Sequence, residues 1–127
     1  MIKRTVKICI GDIVTDARLY YSDQTVRLVY PNTEVCEDDA IPFIALQKLR
    51  LTLEASGIFI LVNGSRKDVY PSGMQMNMGT TSAYTLIMGQ GARQIVDIFD
   101  DCLDRELIST VHLQEQFHED WLNALLK

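Results

Sequence analysis

The run TVKICIGDIVTDARLYYSDQTVRLVY, residues 5–30, decides the fold. Val6, Ile8 and Ile10 alternate with Thr5, Lys7 and Cys9, the period-two pattern of a strand with one buried face, and Gly11-Asp12 interrupts it. Ile13 to Tyr21 is rich in β-branched and aromatic side chains, Ser22-Asp23-Gln24 supplies turn chemistry, and Thr25 to Tyr30 resumes alternation with Val26, Leu28 and Tyr30 on one face. These three runs predict an antiparallel meander.

Outward from the meander, Pro31-Asn32 ends the last strand, and the polar, acidic stretch 31–39 reads as a connection to a helix. Asp38 or Asp39 can cap that helix, Pro42 fits its first turn, and Gly57 is the expected stop after Ser56. Ile41, Ala45, Leu46, Leu49 and Leu53 form its core face, with Gln47, Lys48, Arg50 and Glu54 toward water. Ile58 to Val62 is apolar on both faces and predicts a central strand. Arg66 to Tyr70 reads as a short strand or part of a longer loop, and the Pro71-Ser72-Gly73 breaker opens an irregular region up to Thr81. Ala83 to Met88 and Gln94 to Phe99 read as a hairpin about Gly89-Gln90-Gly91, and a short helical turn covers Cys102 to Ile108. Thr110 caps a final helix whose stripe is Leu113, Phe117, Trp121 and Leu125. The order predicts one α+β domain over residues 1–127, a mainly antiparallel β-sheet with a central helix and a C-terminal amphipathic helix.

Composition bounds the function. A chain of 127 residues with 47% apolar content suits one core and excludes intrinsic disorder. No apolar run approaches the length of a membrane span, and Met1-Ile2-Lys3-Arg4 leads directly into strand-like alternation, so neither a leader nor a membrane segment is expected. Cys9, Cys36 and Cys102 are an odd set without C-x-x-C spacing, which fits reduced thiols in the cytoplasm. The net charge of −5 is uneven. Residues 97–127 hold eight acids against Arg105 and Lys127, whereas residues 1–96 hold nine acids and ten bases. Scattered bases argue against nucleic acid as a partner, and an acidic C-terminal third suits either a solvated face or a surface for a basic protein.

No sequence pattern assembles a catalytic centre. His112 and His118 are six residues apart on one helix, a spacing that separates their rings, and no cysteine shows a paired base. Nucleophile-elbow, phosphate-loop and dinucleotide patterns are absent, as is the calcium-loop pattern around Asp97, Asp100, Asp101 and Asp104. Asp68 or Asp97 is left as an unsupported candidate base. Met74-Gln75-Met76-Asn77-Met78 could line up three thioethers on one face of an extended segment. The alternative to a protein-binding role is therefore a small-molecule or soft-metal domain using loop 74–78, with Tyr70 and Tyr84 lining a pocket.

The segment Asp68-Val69-Tyr70-Pro71-Ser72-Gly73-Met74, continuing through Met78-Gly79 and Ala83-Tyr84 to Val96-Asp97-Ile98-Phe99-Asp100, resembles small cytoplasmic bacterial proteins with a D-V-Y-P-S-G-M-x-x-x-M-G core. The resemblance covers residues 57–101 and is to immunity proteins of contact-delivered polymorphic toxin systems. It implies a non-enzymatic protein that neutralises a cognate toxin domain by direct contact, with no cofactor or metal. In that reading Asp97, Asp100, Asp101 and Asp104 steer a basic partner while Tyr70, Met74, Met76 and Tyr84 supply contact area. The helix stripes could also be shared with a second copy, as a homodimer.

Overall fold

A computed structural model of the chain describes residues 1–126. The meander forms as the alternation dictates. β1 (Ile2–Ile10), β2 (Ile13–Tyr21) and β3 (Thr25–Tyr30) pair antiparallel, with Val6 opposite Ala17, Leu19 opposite Leu28 and Tyr21 opposite Val26. The stretch expected as a connection is a fourth strand, β4 (Thr33–Asp38), turned back by Pro31-Asn32 with Asn32 at φ 64°. Only Val35 of β4 packs on the core. As a sheet edge largely open to water, β4 needs no apolar alternation, and Glu34, Glu37 and Asp38 protect that edge from pairing with another chain.

Helix α1 (Pro42–Glu54) lies across one face of this sheet, burying Phe43, Ala45, Leu46, Leu49 and Leu53. Its N-cap is Ile41, and Asp39 acts one step earlier, accepting the Ile41 N–H at 2.9 Å. The helix ends at Glu54, and Gly57, at φ 71°, takes the left-handed conformation that returns the chain to the sheet. β5 (Ile58–Ile60) pairs antiparallel with β1 and is an edge strand, in the order β4-β3-β2-β1-β5, rather than a central one. It is apolar on both faces because its outer side is also covered. The Cys102 N–H donates to the Leu61 carbonyl at 2.9 Å, Val62 bridges Asp101, and Phe99 stacks on Tyr21 at 4.1 Å between centroids.

After a 3-10 turn at Asn63–Ser65, a second antiparallel sheet forms from β6 (Val69–Tyr70), β7 (Ser82–Thr85) and β8 (Ile95–Asp97), in that order. The region expected to be irregular contains a short helix, α2 (Gly73–Asn77). Ser72 accepts the Gln75 N–H and the Gln75 side chain accepts the Ser72 N–H, so the residues read as a breaker form a capping box. Within residues 102–108 two successive bonds, from the Leu107 N–H to the Asp104 carbonyl at 3.1 Å and from the Ile108 N–H to the Arg105 carbonyl at 3.3 Å, make a turn over 104–108 that does not extend into a helix. Helix α3 (Val111–Leu125) begins where expected, with Thr110 accepting the Leu113 N–H at 3.2 Å.

The inward faces of both long helices differ from their apolar pattern. In α3 the buried residues are Val111 and Gln114, whereas Leu113 and Leu125 are 50% and 40% exposed and Phe117 and Trp121 only half-buried. In α1, Gln47 and Arg50 are buried rather than facing water. They meet in one network. Arg50 donates to the Gly64 and Ser109 carbonyls and, at 2.6 Å, to Gln114 Oε1, and it lies 3.9 Å from Glu54. Gln114 Nε2 donates to the carbonyls of Gly64, Arg66 and Val69 at 2.8–3.0 Å. Burial brings the Arg50 guanidinium down to about 10, still charged at neutral pH, with Glu54 and Glu115 opposing the shift. Gly64 sits so close beneath α1 that a Cβ there would collide with the Leu46 side chain and crowd Ile98.

Gln114→Leu keeps the volume but takes the side-chain donor from the Val69 carbonyl, leaves the Arg66 carbonyl only the long bond from the Val69 N–H and costs Arg50 one acceptor, so it should cost about 2–4 kcal/mol in urea unfolding, against less than about 0.5 kcal/mol for Gln116→Leu on the exposed face. Gln114→Glu should also destabilise, since a carboxylate serves Arg50 but cannot donate to the three carbonyls. Gly64→Ala should cost about 1–3 kcal/mol through overpacking.

Candidate functional site

The second sheet assembles part of the expected contact surface. Tyr70 pairs with Tyr84 and Tyr84 with Ile95, while Ser82 pairs with Asp97, so these five side chains share one face. Val69, Ala83 and Val96 take the opposite face, toward the core. Tyr84 remains half-exposed and Ile95 is exposed.

Tyr70 is occupied internally. Its hydroxyl donates to the Glu115 carboxylate at 2.8 Å, its ring stacks on His118 at 3.7 Å between centroids, and it meets Phe43 edge-on at 4.9 Å. Gln47 Nε2 donates to the same carboxylate at 2.7 Å. Burial, then the bond to Glu115, pushes the Tyr70 phenol up, and burial pushes the His118 imidazole down against the opposing pull of Glu115. Tyr70 thus docks α3 onto the sheet. Further along the helix, Trp121 Nε1 donates to the Gln90 carbonyl at 2.8 Å and ties the β7–β8 loop to α3.

The acids expected to steer a partner divide into two pairs. Asp97 accepts the Phe99 N–H at 2.9 Å and the Thr81 hydroxyl at 3.0 Å, shaping the exit from β8, and Asp100 pairs with Arg4 at 2.8 Å. Asp101 and Asp104 are exposed and form no ion pair among the described residues; Asp104 accepts the Glu106 N–H at 3.1 Å. Glu106, Glu119 and Asp120 are exposed as well. Of the eight acids between residues 97 and 120, Asp100 alone is ion-paired among the described residues. Arg105, the one base among them, donates instead to the Gly11 carbonyl at 3.1 Å. Interspersed with these acids are exposed apolar side chains that sequence reasoning had placed in the core or passed over: Leu103, Leu113, Leu122 and Leu125.

The methionines do not share one face. Residues 73–77 are helical, so Met74 and Met78 lie one turn apart and exposed, while Met76 is rotated away and half-buried. Asp68 is held by both ends of the Arg66 guanidinium at 2.8 Å. No three His, Cys, Asp or Glu residues come together as a metal-ion cluster among the described residues, and no described helix is long and apolar enough to cross a membrane. Three surface cavities of about 460, 260 and 410 Å³ are lined by residues other than Tyr70, Tyr84 and the methionines 74–78. No protein-family model and no curated protein sequence significantly matches this chain.

His118 couples the docking of α3 to pH. Its folded proton affinity lies below that of a free imidazole, so its contribution to stability is complete above the ordinary value of 6.5 and is lost as pH falls toward the lowered folded value. The urea midpoint should therefore drop between about pH 7.5 and pH 5.5, and His118→Gln should flatten that slope even though it also removes the stack on Tyr70.

Proposed function

We propose that this chain is a non-enzymatic binding protein that neutralises a basic partner, of the toxin-domain kind implied by residues 57–101, by covering its working surface in the cytoplasm. The observation that carries this reading is the uncompensated acid between residues 97 and 120, set among exposed leucines. Uncompensated carboxylates accelerate encounter with a basic surface, and adjacent apolar side chains then hold the complex after water is expelled. A toxin acting on nucleic acid offers such a basic surface, because it must itself attract phosphate. The same charge opposes self-association through this face.

Within this reading Asp101, Asp104, Glu119 and Asp120 steer, and Tyr84 with Leu103 and Leu113 supplies contact area. Asp97 and Tyr70 act indirectly, by shaping the β8 exit and seating α3. Met74 and Met78 remain available as adaptable contacts.

The test is affinity capture from native lysate with the wild-type chain and with the Asp101→Lys, Asp104→Lys double variant, followed by assay of the captured protein's activity on nucleic acid. The expected result is one basic protein whose activity is blocked by an equimolar amount of wild-type chain. Its association rate should fall at least about tenfold in the double variant and about as much between 50 and 500 mM salt. A partner whose association ignores both salt and charge reversal, or whose activity is unaffected, overturns the reading.

A further inference from the structure

The outer face of the five-stranded sheet carries no helix, yet at its β5 end the chain crosses back over it. Residues 102–108 run along this edge, held by the Cys102 N–H to Leu61 carbonyl bond, by the Lys67 N–H to Leu107 carbonyl bond and by a bridge between Arg66 and Ile108. Beneath this crossing is a cavity of about 260 Å³ lined by Cys9, Gly11, Gly57, Phe59, Leu61, Arg105 and Ile108. Cys9 and Phe59 are register partners on β1 and β5, so they stand side by side on its floor. Phe59, Leu61 and Ile108 give it an apolar wall within a lining of mixed polarity, and two glycines at positive φ shape its rim without side chains.

One charged side chain, the exposed Arg105, lines this cavity. Arg105 lies between Asp104 and Glu106 in sequence, but its guanidinium pairs with neither and crosses to the Gly11 carbonyl, a neutral acceptor. The Cys9 thiol donates to the same carbonyl at 3.0 Å, so thiol and guanidinium lie within two hydrogen-bond lengths of each other. Asp104 is engaged in its own turn with the Glu106 N–H. A guanidinium has five N–H donors in a planar fork, and a single carbonyl leaves most of them open to a carboxylate. A pocket that sets an apolar wall beside one convergent cation has the chemistry of a site for a small organic acid.

We infer that this cavity binds a small carboxylate with a short apolar body, its carboxylate on Arg105 and its body against Phe59, Leu61 and Ile108. The volume admits a ligand about the size of hexanoate or phenylacetate. The inference is independent of the partner-binding reading, since none of Asp101, Asp104, Glu119 or Asp120 lines the cavity.

The experiment is an amide NMR titration of the full chain with hexanoate, phenylacetate and the uncharged control hexanol. Hexanoate should shift the amides of Gly11, Gly57, Phe59 and Ile108 saturably. Its affinity should exceed that of hexanol and fall about fivefold or more in Arg105→Gln, with partial retention in Arg105→Lys, which keeps a point charge but not the fork. Hexanoate should also slow alkylation of Cys9 by iodoacetamide while leaving the exposed Cys36 unaffected. Arg105 is exposed, so both variants should keep the wild-type amide dispersion, and its retention verifies that the fold is intact. Absence of saturable shifts in these amides, equal binding by Arg105→Gln, or hexanol binding as tightly as hexanoate overturns the inference.

Discussion

Gln114 is the residue on which the arrangement of the second half of the chain depends. Its amide reaches three carbonyls, of Gly64, Arg66 and Val69, and its oxygen receives Arg50 from α1 and, at 3.3 Å, Gln47. One side chain thereby joins α1, the 3-10 turn, β6 and α3. Two of these carbonyls, of Gly64 and Arg66, lie between the first sheet and the second, and the third, of Val69, opens β6; Arg50 shares the Gly64 carbonyl with Gln114. Buried carbonyls without donors are costly, and the knot is the means by which the segment between the sheets can be buried at all. Gly64 belongs to the same constraint, since only a residue without a Cβ can pass under Leu46.

This polar seat determines what α3 presents to solvent. The helix is held by Gln114, by the Glu115 carboxylate on the Tyr70 hydroxyl, by the His118 stack and by Trp121 on Gln90. Its apolar stripe is therefore only partly consumed: Phe117 and Trp121 are half-buried, while Leu113 and Leu125, with Leu122 outside the stripe, stay exposed on the same helix as Glu119 and Asp120. An apolar and acidic face follows directly from docking a helix by its polar side. The partner-binding reading rests on that face and on the unpaired acids that precede it.

Much of the architecture was legible in the residues themselves. The meander, the cap at Thr110, the hairpin about Gly89-Gln90-Gly91 and the helix over Ala45 to Leu53 follow from local periodicity and turn chemistry, which carry their own signal. Strand β4 was missed because an edge strand that sends only Val35 to the core carries no apolar alternation, and α2 because Ser72-Gly73-Met74-Gln75 reads as a breaker until the reciprocal Ser72 and Gln75 bonds are seen. Of the candidate site, Asp101 and Asp104 are exposed as their type suggests and Tyr84 is half-exposed, whereas Tyr70 and Asp100 have partners 45 and 96 positions away and Asp97 is held by Thr81 and Phe99. Arg105 gave no local sign of leaving its acidic neighbours for Gly11.

The sequence by itself determined the α+β class, the antiparallel order of the first three strands, the two long helices and the concentration of acid after residue 96, because each depends on neighbours within a few positions. Only the tertiary structure decided that Arg50 and Gln114 are buried, that Leu113 and Leu125 of the α3 stripe stay exposed, which acids are unpaired and where the Cys9 and Arg105 cavity lies. Burial of a polar side chain depends on whether distant segments bring it enough donors and acceptors, and periodicity in one helix carries no information about partners some 50 to 70 residues away.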